Sequence, residues 1–328
     1  NGKLDATFGA DGNADGTPDG VVQVSFGNGD DAVDAIAIQQ DGKIVVAGDT
    51  TSNTGNGSQN MVVARVNANG SLDASFGAGT ADGTPDGVVS LSLGAGNDEA
   101  KAVAIQANGK IVIARNTIGS DNSSNIAVAR LNGDGSLDAT FGVGNADGTP
   151  DGVVAVSLSN GDDKAKAVAL QADGKILVGG VTVAADNSSN VAVARLNSDG
   201  TADASFGAGT ADGTPDGSVA VSFGAGDDKL KGLVVQADGK ILIAGSNTAA
   251  DGSTNAVVAR FNSNGALDSS FGEDSSDGTP NGVVSISLGS GDDSAEALAL
   301  QADGKILIAG DHVASDGSSN IFVARLIN

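Results

Sequence analysis

The stretch "KAVALQADGKILVGG" (Lys166–Gly180) decides the fold. Two alternating apolar runs, Lys166–Gln171 and Lys175–Gly180, flank a turn that carries Asp173 and Gly174. Asp-Gly between such runs is a strong hairpin signal, because a tight two-strand turn needs residues that tolerate positive φ. Upstream, "VVAVSLS" (Val153–Ser159) reads as a further strand, and "NGDD" (Asn160–Asp163) turns from it into the hairpin. Downstream, the polar loop "AADNSSN" leads to "VAVARL" (Val191–Leu196). Period-two alternation rich in Val, Ile and Ala makes each of these a strand.

The same unit recurs along the chain. "Q-x-[DN]-G-K-I" contains Lys43, Lys110, Lys175, Lys240 and Lys305, and "VAR" ends at Arg65, Arg130, Arg195, Arg260 and Arg325. "LDxxFG" begins at Leu4, Leu72, Leu137 and Leu267, with "ADASFG" at Ala202. Five repeats of about 65 residues fill the 328 positions as one domain, at about 1–68, 69–133, 134–198, 199–263 and 264–328. Four antiparallel strands per repeat, five times over, predict an all-β, five-bladed β-propeller. The last repeat stops after three strands, whereas "VVQVSF" (Val21–Phe26) supplies an extra one at the start. The expectation is therefore a ring closed by N- and C-terminal strands in one blade, monomeric rather than assembled head to tail.

"GSLDASFG", "QADGKILVGG" and "VAVARLN" together resemble the bacterial delta-60 repeat, a β-propeller family of very large secreted and cell-surface proteins. The resemblance spans all five repeats and implies a propeller in an extracellular or cell-surface setting. It implies no activity. The insert "GTADGTP" after "FG" departs from the family pattern, so any role of that insert is not inherited.

Composition narrows the function classes. Seventeen basic residues against 41 acidic ones give a net charge of −24. That balance disfavours nucleic acid and anionic membranes as partners, because phosphate contacts need Lys and Arg. No apolar window is long enough for a membrane-spanning helix, so no membrane insertion is expected. The chain lacks an initiator Met and a leader and reads as a processed or excised fragment. Cysteine is absent. Large secreted proteins without disulfides often use bound calcium as a staple, which makes calcium the expected cofactor.

Two acidic motifs are the candidate ligand sets. The first is the insert that contains D-G-T-P-[DN]-G: Asp11, Asn13, Asp15 and Asp19 in the first copy, then Asp82, Asp86, Asp147, Asp151, Asp212, Asp216 and Asp277. Pro and Gly make it a rigid turn first. The spacing of the first copy imitates part of an EF-hand, yet Val22 stands where a bidentate Glu belongs. A looser calcium site remains open beside the plain turn. The second set is Asp30, Asp31, Asp98, Asp162, Asp163, Asp227, Asp228, Asp292 and Asp293, in the loops that enter the strands assigned as innermost. Clustered at one mouth of the axial channel, these carboxylates would raise their own pKa values or recruit cations; alternatively each first Asp caps a turn.

Phe8, Phe76, Phe141, Phe206 and Phe271 are expected as packing anchors, and the "VAR" arginines as partners of the Asp in "LD". His312, at a strand end, is expected in solvent, and Arg115 stands out as an isolated departure from the repeat. The reading is a non-enzymatic, calcium-associated module for adhesion, ligand display or spacing, with a carbohydrate or a surface protein as its other partner. Two alternatives stand beside it: a filament subunit that exchanges strands, and a glycosidase-like site built from two carboxylates.

Overall fold

The computed structural model describes residues 2–9, 20–26, 29–51, 59–77, 87–93, 97–118, 123–142, 152–158, 162–184, 186–207, 217–224, 226–272, 282–289 and 291–328. These residues form nineteen strands and no helix. They fall into two compact units, Asn1–Ala155 and Val156–Asn328.

The first unit holds two sheets. One runs in order β1 (Asp31–Ile38), β2 (Ile44–Thr51), β3 (Gln59–Val66), β4 (Val88–Leu91). The other runs β5 (Asp98–Ile105), β6 (Ile111–Ile118), β7 (Ser124–Leu131), β8 (Val153–Val156), its last strand ending at the unit boundary. The second unit holds three. They are β9 (Asp163–Leu170), β10 (Ile176–Val183), β11 (Ser189–Leu196), β12 (Ser218–Val221), then β13 (Asp228–Val235), β14 (Ile241–Thr248), β15 (Thr254–Phe261), β16 (Val283–Ile286). The last is β17 (Asp293–Leu300), β18 (Ile306–Val313), β19 (Ser319–Leu326). All ladders are antiparallel meanders, and the five sheets are the five expected blades.

Each four-stranded sheet is offset from its sequence repeat. The short fourth strand comes from the start of the next repeat: Met61 pairs with Leu91, and Val191 with Val221. The quoted hairpin forms as expected, with Ile176 opposite Leu170. Val21–Phe26 differs from expectation. It carries no strand, and the last sheet has three strands, with β19 at its edge. The stretch is instead packed by Val24 and Phe26 against Val62, Ala64 and Val88, and the Phe26 amide donates to Asp31 Oδ2 at 3.0 Å.

The first strand of every blade contains a β-bulge, after Val33, Ala100, Ala165, Leu230 and Ala295. A bulge inserts one unpaired residue and re-aims its side chain. The inserted residues are Asp34, Lys101, Lys166, Lys231 and Glu296.

The cores follow from the alternation. In the first unit, Val45, Met61, Val63, Phe76, Ile111 and Ile113 belong to one buried cluster. In the second, Leu177, Phe206, Ile241, Val257 and Phe261 form another. Phe76, Phe141 and Phe206 are fully buried, as the once-per-repeat pattern predicts. The glycine that follows is fixed by geometry: Gly77 has φ +74°, and an added Cβ would stand 2.4 Å from Val88 O. Phe141→Ala is expected to cost about 3–5 kcal/mol through the cavity it leaves. A urea midpoint indistinguishable from wild type would contradict the packing role.

Candidate functional site

Four blades contain the same arginine clamp. Arg65 Nε donates to Asp73 Oδ2 at 2.7 Å, and Lys43 Nζ reaches the same oxygen at 2.8 Å. Arg130 with Asp138 and Lys110, Arg195 with Asp203 and Lys175, and Arg260 with Asp268 and Lys240 repeat the arrangement. Each guanidinium also lies over the following Phe ring, 4.5–4.7 Å from its centroid. Arg65 reaches on to the Gly133 carbonyl and Arg195 to the Ser263 carbonyl, both in the next repeat. Burial alone would raise the Asp73 carboxyl. The Lys43 hydrogen bond, two from Ser75 and the Arg65 charge outweigh it and hold that carboxyl well below the usual range. Asp138, Asp203 and Asp268 behave alike. The arginine–aspartate pairing expected from sequence is present for four of the five arginines, where it is structural; the fifth, Arg325, is exposed.

The insert aspartates Asp11, Asn13, Asp15, Asp19, Asp82, Asp86, Asp147, Asp151, Asp212, Asp216 and Asp277 lie outside the described residues. The second acidic set is described, and its two members have separate tasks. The second Asp accepts from a backbone amide five residues earlier: Asp31 from Phe26, Asp98 from Leu93, Asp163 from Leu158, Asp228 from Phe223, Asp293 from Leu288. Asp98, Asp228 and Asp293 are completely buried. The outer member crosses to a neighbouring strand: Asp227 accepts from Ser189 N and Asp292 from Thr254 N, both at 2.8 Å. Asn97, in the outer place of the second blade, accepts from Gln59 N at 3.1 Å. These carboxylates fasten backbone. Among the described residues no three of them gather into a metal-holding group.

Opposite this second Asp stands a residue that varies between blades. Thr50 Oγ1 donates to Asp31 Oδ1 at 2.7 Å. His312 Nδ1 lies 2.7 Å from Asp293 Oδ1, so this histidine is half-buried and held rather than solvated. In the second blade Arg115, two residues before the facing Thr117, fills the space and is ion-paired to Asp98, both essentially fully buried. Burial lowers the Arg115 pKa from its usual value, and the Asp98 charge acts against that fall. In the fourth blade Asn247 faces Asp228 but spends its amide on Phe223 O at 3.0 Å. Asp228 Oδ1 and Asn247 Oδ1 are then both buried without a hydrogen-bond partner. Burial, with the Asp227 charge behind it, pushes the Asp228 carboxyl up to about 7 against the backbone bond from Phe223. A protonated carboxyl carries the donor that this enclosed pair of acceptors lacks.

The bulge residues form the third feature. Lys101 Nζ lies 3.3 Å from Asp34 and 3.2 Å from Glu99. Lys231 Nζ lies 2.6 Å from Glu296. The bulge makes Asp34, Lys101, Lys231 and Glu296 members of one series. A residue type missed altogether is the Gln of "Q-x-[DN]-G-K-I". Gln39, Gln106, Gln171, Gln236 and Gln301 all have a buried Oε1 without a partner. Gln171 and Gln236 border a cavity of about 880 Å³ in the second unit, beside Asp173, Asp238 and Arg195. Their recurrence at one spacing was the available signal.

Stability should depend on pH through two opposite terms. Asp73, Asp138, Asp203 and Asp268 have depressed carboxyls, so their contribution is present above the ordinary value of 3.8 and lost as pH falls below it. Asp228 is raised, so the folded chain keeps a proton that the unfolded chain releases between 3.8 and about 7. Its contribution is complete below that window, declines across it and is flat above. Asp228→Asn is expected to remove the decline between about pH 4 and 7 while leaving the acid limb in place. An unchanged pH profile of urea midpoints would refute the assignment.

The chain matches the family described as "Domain of unknown function (DUF5122) beta-propeller" over residues 39–76, 106–141, 171–206, 236–271 and 301–326. No match was found among curated proteins. Similar solved structures include a protein of unknown function from Dyadobacter fermentans DSM 18053, with TM-score 0.49 and 9% identity over 89% of this chain and 74% of that one. A glucose dehydrogenase gives TM-score 0.48 and 12% identity, with 93% and 86% covered. A thermostable family-43 glycoside hydrolase gives 0.41 and 13%, with 92% and 89% covered. Five matched repeats, one to each sheet, cover over half of the residues and place the chain in the DUF5122 β-propeller family.

Proposed function

We propose that the chain is a non-enzymatic extracellular module that displays five near-identical loop sets for adhesion, ligand binding or spacing, in association with calcium. The carrying observation is the engagement of its acidic groups. The clamp carboxylates are saturated by Arg, Lys and Ser or Thr, and the strand-entry carboxylates accept from backbone amides. An acid–base pair for glycoside hydrolysis needs two carboxyls flanking open space, one of them raised. The carboxyls raised among the described residues, Asp49 and Asp228, are both buried. Calcium would go to the D-G-T-P-[DN]-G inserts, whose Asp, Asn and Thr oxygens suit a hard cation. The likeness to delta-60 repeats and the net charge of −24 support the extracellular setting and the cation. Repetition makes the binding multivalent, so weak sites act together. Thermal melting with calcium and with EGTA tests this: a midpoint several degrees higher with calcium is expected, and identical midpoints would remove calcium from the reading.

Strand exchange is a second reading, favoured by one observation on β19. Ile321 and Val323 are 83% and 71% exposed there, whereas Val191, Val193, Ala256 and Val258 at the matching places of β11 and β15 are buried. The partner each of those strands has is a four-residue strand such as Ser218–Val221 or Val283–Ile286. Val21–Val24 has that pattern, and its docking on β19 would complete the sheet from within one chain or from a neighbour. Light scattering across a concentration series distinguishes the two. A monomer throughout is the expected result, and concentration-dependent growth would favour head-to-tail assembly.

A further inference from the structure

Two positions on the first strand of each blade differ between the repeats. The residue two before the bulge is Ala32, Glu99, Lys164, Lys229 or Ser294, and the bulge residue is Asp34, Lys101, Lys166, Lys231 or Glu296. Where the surrounding motif is copied five times, a position that is not copied is free of the packing that fixes the rest. In the second blade the two positions neutralise each other, since Glu99 pairs with Lys101. In the last, Ser294 donates to Glu296, which also takes Lys231. The third and fourth blades instead have lysine at both positions. Lys164, Lys166, Lys229 and Lys231 are all exposed, alternating with buried Asp163, Ala165, Asp228 and Leu230.

Two of these lysines, Lys164 and Lys229, stand apart in an acidic chain. Lys175, Lys240 and Lys305 of the second unit are ion-paired in their turns. Lys164 and Lys229 have no carboxylate within ion-pair distance among the described residues. Strands β9 and β13 pack side by side. Lys164 and Lys229 therefore present their charge on neighbouring strands, beside the Lys231–Glu296 pair, as a patch rather than a point. We propose that this patch on β9 and β13 binds a short acidic oligosaccharide, its carboxylates on the lysines and its hydroxyls on Glu296. The adjoining Glu296 carboxylate accepts from hydroxyl donors and repels a bare phosphate or sulfate. The charge of −24 on the rest of the chain opposes long polyanions such as nucleic acid. The inference rests on the display reading only in treating the sugar as a ligand rather than a substrate.

Trigalacturonate is the probe, titrated by calorimetry and by amide chemical shifts at low and at physiological salt. Binding is expected at low salt, weakened at physiological salt, where screening acts over about 8 Å. Lys164→Ala with Lys229→Ala should weaken it about tenfold or more, since charge-assisted bonds are lost. Both side chains are exposed, so the variant should keep the wild-type melting midpoint. No binding at low salt, equal binding by the double variant, or equal affinity for inorganic sulfate would each overturn the proposal. Shortening of trigalacturonate, read by anion-exchange chromatography, would instead refute the display reading and leave the lysine patch standing.

Discussion

One interaction sets the length and shape of four of the five repeats: a buried arginine that must be satisfied on all sides. In the first unit Arg65 gives Nε to Asp73, lies on Phe76 and reaches Gly133 with its last nitrogen. Its own backbone takes part as well, since Arg65 N donates to Gly87 O and Arg65 O accepts from Asp73 N. The third strand, the loop after it, the glycine before the fourth strand and the next repeat thus meet at one side chain. Removing a single partner would strand a charge in the interior, which typically costs about 3–5 kcal/mol. A repeat that changed the distance between "VAR" and "LD" would lose the clamp, and this accounts for the constancy of that spacing through all the internal repeats.

Glycine and aspartate do the remaining work of turning the chain. Aspartate recurs because its short acceptor reaches a backbone amide two residues on, as Asp173 does for Lys175 and Asp138 for Thr140. In a chain with three per cent aromatics these local bonds replace much of what larger side chains would supply. The acidic composition is therefore in good part a by-product of turn chemistry. The net charge then reports less about partners than its size suggests.

The blades, the hairpins and the arginine–aspartate pairs were legible in the sequence, because each rests on local alternation or on a fixed spacing repeated five times. The burial of Asp98, Asp228 and Asp293 was not. A carboxylate next to another carboxylate reads as solvated, and only the path of the preceding loop brings an amide five residues away onto it. The bulge was hidden for a similar reason: alternation scanned along "DKAKAVAL" absorbs one extra residue without a visible break. His312 was misjudged because its facing residue lies 19 positions away, across a ladder whose register the sequence does not display. Val21–Phe26 shows the opposite failure, a strand pattern with no ladder, since alternation states a preference and pairing requires a partner strand in place.

Near-perfect repetition is often read as a sign that nothing specific is bound, yet the variable positions argue otherwise. Selection for packing alone would let the exposed bulge residue drift toward small or neutral side chains, as Ala32 and Ser294 have beside it. It is charged in all five blades: acidic in the first and last, lysine in the three between. Four of these bulge charges, with Glu99, form one ion-pair series in the first unit and one pair in the second. An exposed ion pair contributes little to stability, about 0–1 kcal/mol. The pattern of charge at the bulges is thus not explained by what holds the sheets together. It is better explained by what the first strands face.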